Sequence, residues 1–219
     1  EGCIVAVTTA DAKLGVIAYI SCETDFVSKN EEFRAFATSV ANAALAAGAS
    51  TKEEVLELTL EGTKIADKLQ EKVSAIGELI QLAAYEKLTG ETVVAYNHAG
   101  NKIGVLVALN NPKSDVNVEA GKDVAMQIAA MNPVAVDASG VSNETKDRER
   151  AIAREKAIAA GKPENILDKI AEGAVNTMLK ENTLLPQPFV KDGSKTVDQY
   201  LKSADKDLTV VTFKRVTLS

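Results

Sequence analysis

Apolar positions along this chain follow two rhythms. The run Gly15-Val16-Ile17-Ala18-Tyr19-Ile20 is continuously apolar and bounded by polar residues, which predicts a strand. From Glu31 to Ala47 the apolar residues Phe33, Phe36 or Ala37, Val40, Ala44 and Ala47 return at helical spacing, which predicts a helix. Between them lies Glu23-Thr24-Asp25-Phe26-Val27-Ser28-Lys29-Asn30. Ser28 and Glu31 have the spacing of a capping box, so the helix is expected to start at Ser28. Asp25 and Phe26 then stand outside the repeating pattern. Phe26 either packs beneath the helix it precedes or points outward as a wedge for a partner, and periodicity admits both.

The strand-then-helix order occurs twice. Lys13-Leu14-Gly15-Val16-Ile17 and Lys102-Ile103-Gly104-Val105-Leu106 are 89 positions apart, and Val5-Ala6 and Val94-Ala95 keep that separation. In each half a short strand (Ile4 to Val7; Val93 to Tyr96) passes through a polar turn (Thr8 to Lys13; Asn97 to Lys102) into a more apolar strand. Each half then runs to a helix, Glu31 to Ala47 in the first and Gly121 to Met131 in the second. Duplication of an α+β unit is the economical account.

Between the repeats, Thr51 opens a short helix through Leu60. Thr63 opens a longer one with Ile65, Leu69, Val73, Ile76, Ile80 and Ala83 or Ala84 on one face and Lys64, Lys68, Glu71, Lys72 and Glu78 largely elsewhere. Gly90 is its expected stop. The second half carries an insertion: a charged helix from Ser142 through Ala160, a break at Gly161-Lys162-Pro163, and a helix from Glu164 to Leu179 with Ile166, Leu167, Ile170, Ala174 and Met178 as its apolar side. Two such helices form an antiparallel hairpin. It is expected to project, either as a surface for a partner or for self-association, or as a solvated arm. Leu184 to Val190 reads as extended, Thr196 to Lys202 as a short helix, and Leu208 to Leu218 as a last strand alternating Val211, Phe213 and Val216 with polar residues, completing the second sheet.

The predicted fold is therefore α+β, with two repeated units, each a small antiparallel sheet with packed helices, plus the helical hairpin. Residues 1–90 form the first core unit, and residues 91–219 the second, with the hairpin inserted at about 142–181. A chain of 219 residues with 46% apolar and 26% charged residues can bury a substantial core. It has no apolar run long enough to span a bilayer and no signal-peptide pattern, so a soluble, intracellular protein is expected. The net charge of −6 argues against generic nucleic-acid binding and favours a protein partner. Cys3 and Cys22 read as buried free thiols, not a metal site. His98 stands alone in the second hairpin turn, without an acid or thiol beside it to form a relay, and reads as a surface or hydrogen-bonding residue. No nucleotide-binding, zinc-hydrolase or nucleophile-elbow motif occurs. The residues by themselves describe a two-unit binding protein without catalytic residues, cofactor or metal.

Thr24-Asp25-Phe26-Val27 followed by Asn30 resembles the TDFVxxN signature of the bacterial elongation factor Ts family. Other stretches resemble the same family in the same order: His98 to Val107 its second hairpin, Asp123 to Pro133 the following helix, Gly161 to Ile166 with Glu172-Gly173 its helical hairpin, and Gln187 to Asp192 with Lys195-Thr196-Val197 the run beyond.

The resemblance implies a cytoplasmic guanine-nucleotide exchange factor for elongation factor Tu, active in translation elongation, with no chemistry of its own and no direct contact with nucleic acid or membrane. In that family the two units touch different domains of the GTPase, and the TDFV segment enters near its magnesium and nucleotide. Carried over, Thr24, Asp25, Phe26 and Val27 form the partner-binding segment, with Phe26 the wedge and Asp25 a polar partner beside it. His98 matches the family's hairpin histidine and is a supporting contact. The corresponding stretch of the second half, Asn110-Asn111-Pro112-Lys113, has no aromatic, so one unit alone carries the wedge. The family begins with a small helical domain that nothing before Glu1 represents, and the chain reads as a fragment that has lost an N-terminal piece. Some members also continue into a terminal helix past the point where this chain stops. The rival expectation is a module without exchange activity that forms a homodimer through the helical hairpin.

Overall fold

The computed structural model describes residues 1–219. In chain order the elements are β1 (Gly2–Thr8), β2 (Leu14–Ser21), α1 (Asp25–Ser28), α2 (Glu31–Ala47), α3 (Lys52–Glu57), β3 (Thr59–Leu60), β4 (Thr63–Lys64), α4 (Ile65–Ile76), β5 (Gln81–Thr89), β6 (Thr92–Asn97), β7 (Ile103–Leu109) and α5 (Asp115–Met131). There follow α6 (Asn143–Ala159), α7 (Glu164–Asn182), β8 (Pro188–Phe189), β9 (Asp192–Thr196), α8 (Val197–Ala204) and β10 (Val210–Thr217). Glu1–Ala130 with Ala204–Ser219 make one compact unit, and Met131–Ser203 make another. Both repeated hairpins fall in the first.

Two three-stranded antiparallel sheets build that first unit, in the orders β1-β2-β5 and β10-β7-β6. They pack face to face over Ile4, Ala6, Ile17, Leu88, Val93 and Leu106. The other face of the first sheet, through Cys3, Val5, Ala18 and Ile20, meets Phe33, Ala37, Val40 and Ala44 of α2. A sheet covered on both sides has no wet face, which is why β1 and β2 are apolar almost without interruption. Helix α5 closes on the second sheet at Gly121, where a β-carbon would lie 2.6 Å from Val94 Cγ2 and 3.1 Å from Leu109 Cδ1. The α+β class and the duplicated hairpin-then-helix order are thus present, and both Cys3 and Cys22 are buried free thiols.

Several local expectations are corrected. Asn30, not Ser28, caps α2: its side chain accepts the Phe33 N–H at 3.1 Å, while Ser28 ends the separate one-turn helix α1. The short helix ends at Glu57, and residues 59–64 form a tiny hairpin that turns on Glu61 and Gly62, both at positive φ. The longer helix stops at Ile76 rather than continuing to Gly90. Gly77, at φ 82°, takes the left-handed conformation that ends a helix, and residues 81–89 pair with β2 as β5. Pairing the open edge of β2 and burying Leu82 and Leu88 outweighs the helical spacing of that stretch. Helix α5 starts at Asp115, six residues before Gly121, so it matches α2 in length at 17 residues. A bulge falls between Val210 and Thr212, and Val211, expected on the apolar side with Phe213 and Val216, is exposed.

In the second unit α6 and α7 lie antiparallel. Arg150 reaches Glu172, and Arg154 reaches Asp168 and Glu164, so positions later in α6 meet positions earlier in α7. Ser142 caps α6 by accepting the Thr145 N–H at 3.1 Å. The buried residues of α7 are Leu167, Ala171 and Val175. Ile166, Ile170, Ala174 and Met178, expected with Leu167 on the apolar side, are only half-buried, so the seam keeps Leu167 and otherwise lies one position around the helix from them. Beyond it, β8 pairs with β9, and the Phe189 and Tyr200 rings stack at 4.1 Å.

Candidate functional site

Residues 24–27 form a turn that its own length cannot stabilise. A four-residue helix makes too few hydrogen bonds to offset the cost of nucleation, so neighbours must hold it. Thr24 starts it in extended conformation, and its hydroxyl accepts the Val27 N–H at 3.4 Å. The entering strand is tied down where Cys22 N–H donates to Glu1 O at 3.1 Å and the Cys22 thiol donates to Thr24 O at 3.3 Å. The exit is pinned by Arg34 Nε, which donates to Ser28 O at 2.9 Å.

The entrance is held from a distance in sequence. Glu78, just past the end of α4, accepts the N–H groups of Glu23 and Thr24 on Oε2 at 3.0 and 3.1 Å, and the Thr24 hydroxyl on Oε1 at 2.5 Å. The hydroxyl bond holds the Glu78 carboxyl below its ordinary pKa; desolvation opposes it, and each backbone N–H bond adds a smaller lowering effect. Thr24 therefore relays a contact: its oxygen donates to Glu78 and accepts from Val27.

With both ends fixed, the turn sorts its side chains. Ser28 is buried, Val27 packs against the α2 side of the core, and Phe26 is left 83% exposed. Burying a phenylalanine stabilises by about 1.5–3 kcal/mol, so folding leaves that gain unclaimed here. Asp25 is exposed and bonded to Lys29 Nζ at 2.6 Å, a hydrogen bond that lowers its pKa. Beside Phe26 opens a cavity of about 310 Å³ lined by Val27, Phe33, Lys72, Ala75 and Ile76 among others. Ile76 and Leu79 are themselves exposed. The aromatic thus stands in an apolar patch rather than alone.

His98 belongs to the turn between β6 and β7. Its N–H donates to Ile103 O at 2.9 Å, and its Nδ1 lies 3.0 Å from the Tyr96 hydroxyl. The ring is half-buried, and its polar partner is Tyr96 rather than a residue of the TDFV turn. No group of three acidic, thiol or imidazole side chains is arranged to hold a metal ion. No helix is long and apolar enough to cross a membrane. Glu78 escaped sequence reasoning because the pattern put it on the solvated face of a long helix. Gly77 was the available signal, since a helix ending there frees the next residue to turn back on Thr24.

Two duplicated hairpin-and-helix elements with a TDFV turn after the first hairpin define an α+β protein of a recognisable kind. The family model described as Elongation factor TS matches residues 23–219. A protein of Amoebophilus asiaticus named Elongation factor Ts is 49% identical over 216 residues, covering 99% of this chain and 78% of its own length. One of the same name from Porphyromonas gingivalis is 46% identical over 220 residues, covering 100% and 78%. Another, from Azoarcus sp. strain BH72, is 44% identical over 204 residues, covering 93% and 67%. The chain belongs to the elongation factor Ts family and is a translation elongation factor.

Proposed function

We propose that this chain binds elongation factor Tu and promotes release of GDP, with Phe26 as the wedge that disturbs the magnesium and nucleotide site of the GTPase. The observation that carries the reading is the exposure of Phe26 on a turn fixed at both ends. A rigidly presented aromatic loses little conformational freedom on docking, so its apolar area is available for binding. Asp25, beside it and exposed, supplies a polar contact, Thr24 and Val27 set the turn, and His98 makes a supporting contact elsewhere. The chain itself carries out no bond chemistry.

The effect on the partner follows from the demands of Mg²⁺. That ion needs a nearly ideal octahedral shell, so a small displacement of the groups around it weakens both the ion and the phosphates it bridges. Exchange is then negative coupling between two ligands of one GTPase: the factor lowers nucleotide affinity and nucleotide lowers factor affinity by the same ratio. The factor speeds release of either nucleotide, and the nucleotide concentrations decide which one rebinds.

Release of fluorescent GDP from elongation factor Tu, with and without this chain, tests the proposal. Acceleration that saturates with factor concentration is expected. Unchanged release beside a concentration-dependent dimer in sedimentation would replace it with the assembly-module reading.

A further inference from the structure

We infer that Glu78 is a positioning residue for nucleotide exchange, a carboxylate latch that holds the TDFV turn in its docking conformation before the partner arrives. The inference rests on the exchange reading above. One carboxylate takes the N–H groups of Glu23 and Thr24 and the Thr24 hydroxyl, three donors grouped at the start of the turn. Their convergence fixes the backbone that enters α1 and also the rotamer of the Thr24 hydroxyl. That hydroxyl in turn caps Val27. Phe26 lies between the two capped ends, so its direction is set through Thr24 and not by packing of its own ring, which is 83% exposed.

The placement of Glu78 ties the turn to α4. Gly77, at φ 82°, ends that helix and directs the chain back so that the next residue faces Thr24. The exposed apolar residues Ile76 and Leu79 flank the latch in sequence, and Ile76 lines the cavity beside Phe26. The latch therefore also sets the register between the wedge and the apolar residues of α4 with which it shares a surface.

A latch that acts before docking changes the fraction of molecules ready to bind, and apparent affinity falls in proportion to that fraction. The expected result for Glu78→Ala is a rise on the order of tenfold in the factor concentration giving half-maximal GDP release, with the limiting rate within about twofold of the unsubstituted chain. Glu78→Gln keeps an oxygen for the two N–H groups and an amide that can donate to Thr24, and recovers most of the loss. Amide exchange of the free protein is expected to show protection at Glu23 and Thr24 lost in the alanine variant and kept in the glutamine variant.

An alanine variant with unchanged half-maximal concentration would overturn the inference. Equal loss of limiting rate in both variants would also overturn it, since that marks a direct contact with the partner. If the unsubstituted chain leaves GDP release unaccelerated, the exchange reading fails, and amide protection alone still decides whether Glu78 holds the turn.

Discussion

Gly15 and Gly104 hold equivalent places in the two hairpins, and each is the gap into which the opposite hairpin fits. A β-carbon on Gly15 would stand 2.8 Å from Leu106 Cδ2 and 2.9 Å from Val93 Cγ1. One on Gly104 would stand 2.7 Å from Ile4 Cγ2 and 3.2 Å from Ile17 Cγ2. The residue that the duplication repeats is thus the one that lets its two copies pack face to face. Asn97 adds a polar tie between the same hairpins, accepting the Ala6 N–H at 2.8 Å and donating to Ala6 O at 2.9 Å.

Alanine at Gly104 must push Ile4 or part the sheets. Overpacking of this kind costs about 1–3 kcal/mol. Gly173, inside α7, meets nothing within 4 Å, and alanine there is expected to stabilise the helix by up to about 1 kcal/mol. Urea unfolding should therefore move in opposite directions for Gly104→Ala and Gly173→Ala. A Gly104→Ala protein as stable as the parent would show that the sheets are not in close register there.

Phe26 and Phe33 are seven residues apart and should behave as opposites. Phe33 is 2% exposed beneath the first sheet, and its replacement by alanine should cost about 3–5 kcal/mol of stability. Phe26→Ala removes an exposed ring and should leave stability within about 0.5 kcal/mol of the parent. As a docking anchor, Phe26 should instead cost 2 kcal/mol or more of binding, roughly a thirtyfold loss in GDP-release efficiency per molar factor. Denaturation and release measurements on the two variants separate the roles. A destabilised Phe26→Ala with unchanged exchange per folded molecule would make Phe26 a core residue.

These contrasts mark how much the sequence carries. Helix α2 is legible from its helical spacing and the paired hairpins from apolar runs joined by polar turns, each strand meeting a neighbour in sequence, and the Lys-Leu-Gly-Val-Ile and Lys-Ile-Gly-Val-Leu repeat places both second strands. The three- and four-residue spacing of the 81–89 stretch is compatible with a helix, while the edge of β2 that recruits it as a strand lies 60 to 75 residues earlier. The seam of α7 keeps the expected Leu167 but runs on through Ala171 and Val175, not Ile170 and Ala174, for a similar reason: packing within the folded unit selects between two rows that are both apolar. At the site, the exposed phenylalanine could be suspected from its place outside the periodic pattern. Its support from Glu78 is legible only as far as Gly77, which ends the helix and frees the next residue; that the carboxylate then meets backbone 54 residues away leaves no local trace.

The thiols give a chemical test of the core. Burial raises the Cys3 pKa to about 11, offset in part by the positive charge of Arg34 and reinforced by Cys22. Burial also raises Cys22, with the negative charge of Glu78 adding to it. Thiolate is the reactive form, so both sites are protected by protonation as well as by access. At pH 8 a disulfide reagent such as Ellman's is expected to label neither cysteine in the native protein within minutes, and both in denaturant. Rapid labelling of one thiol in the native state would mean that the segment carrying it opens locally.

Tyr85 predicts how the fold fails in alkali. Its hydroxyl donates to Ala49 O at 2.7 Å, tying β5 to the loop after α2. Burial first, and the negative charge of Glu54 second, push its pKa up to about 12. An unfolded tyrosine ionises near pH 10, so the folded state holds the phenolic proton where the unfolded chain releases it. The contribution of Tyr85 is therefore fully present below about pH 10 and is lost as pH rises from there through about 12. Tyr85→Phe forfeits the hydrogen bond, at about 0.5–1.5 kcal/mol near neutral pH, but removes this alkaline decline. Urea midpoints measured from pH 8 to 11.5 should accordingly converge for the two proteins as pH rises. The difference in phenolate absorbance between them should report a single tyrosine that titrates late. Parallel midpoint curves across that range would show that the Tyr85 phenol titrates alike folded and unfolded.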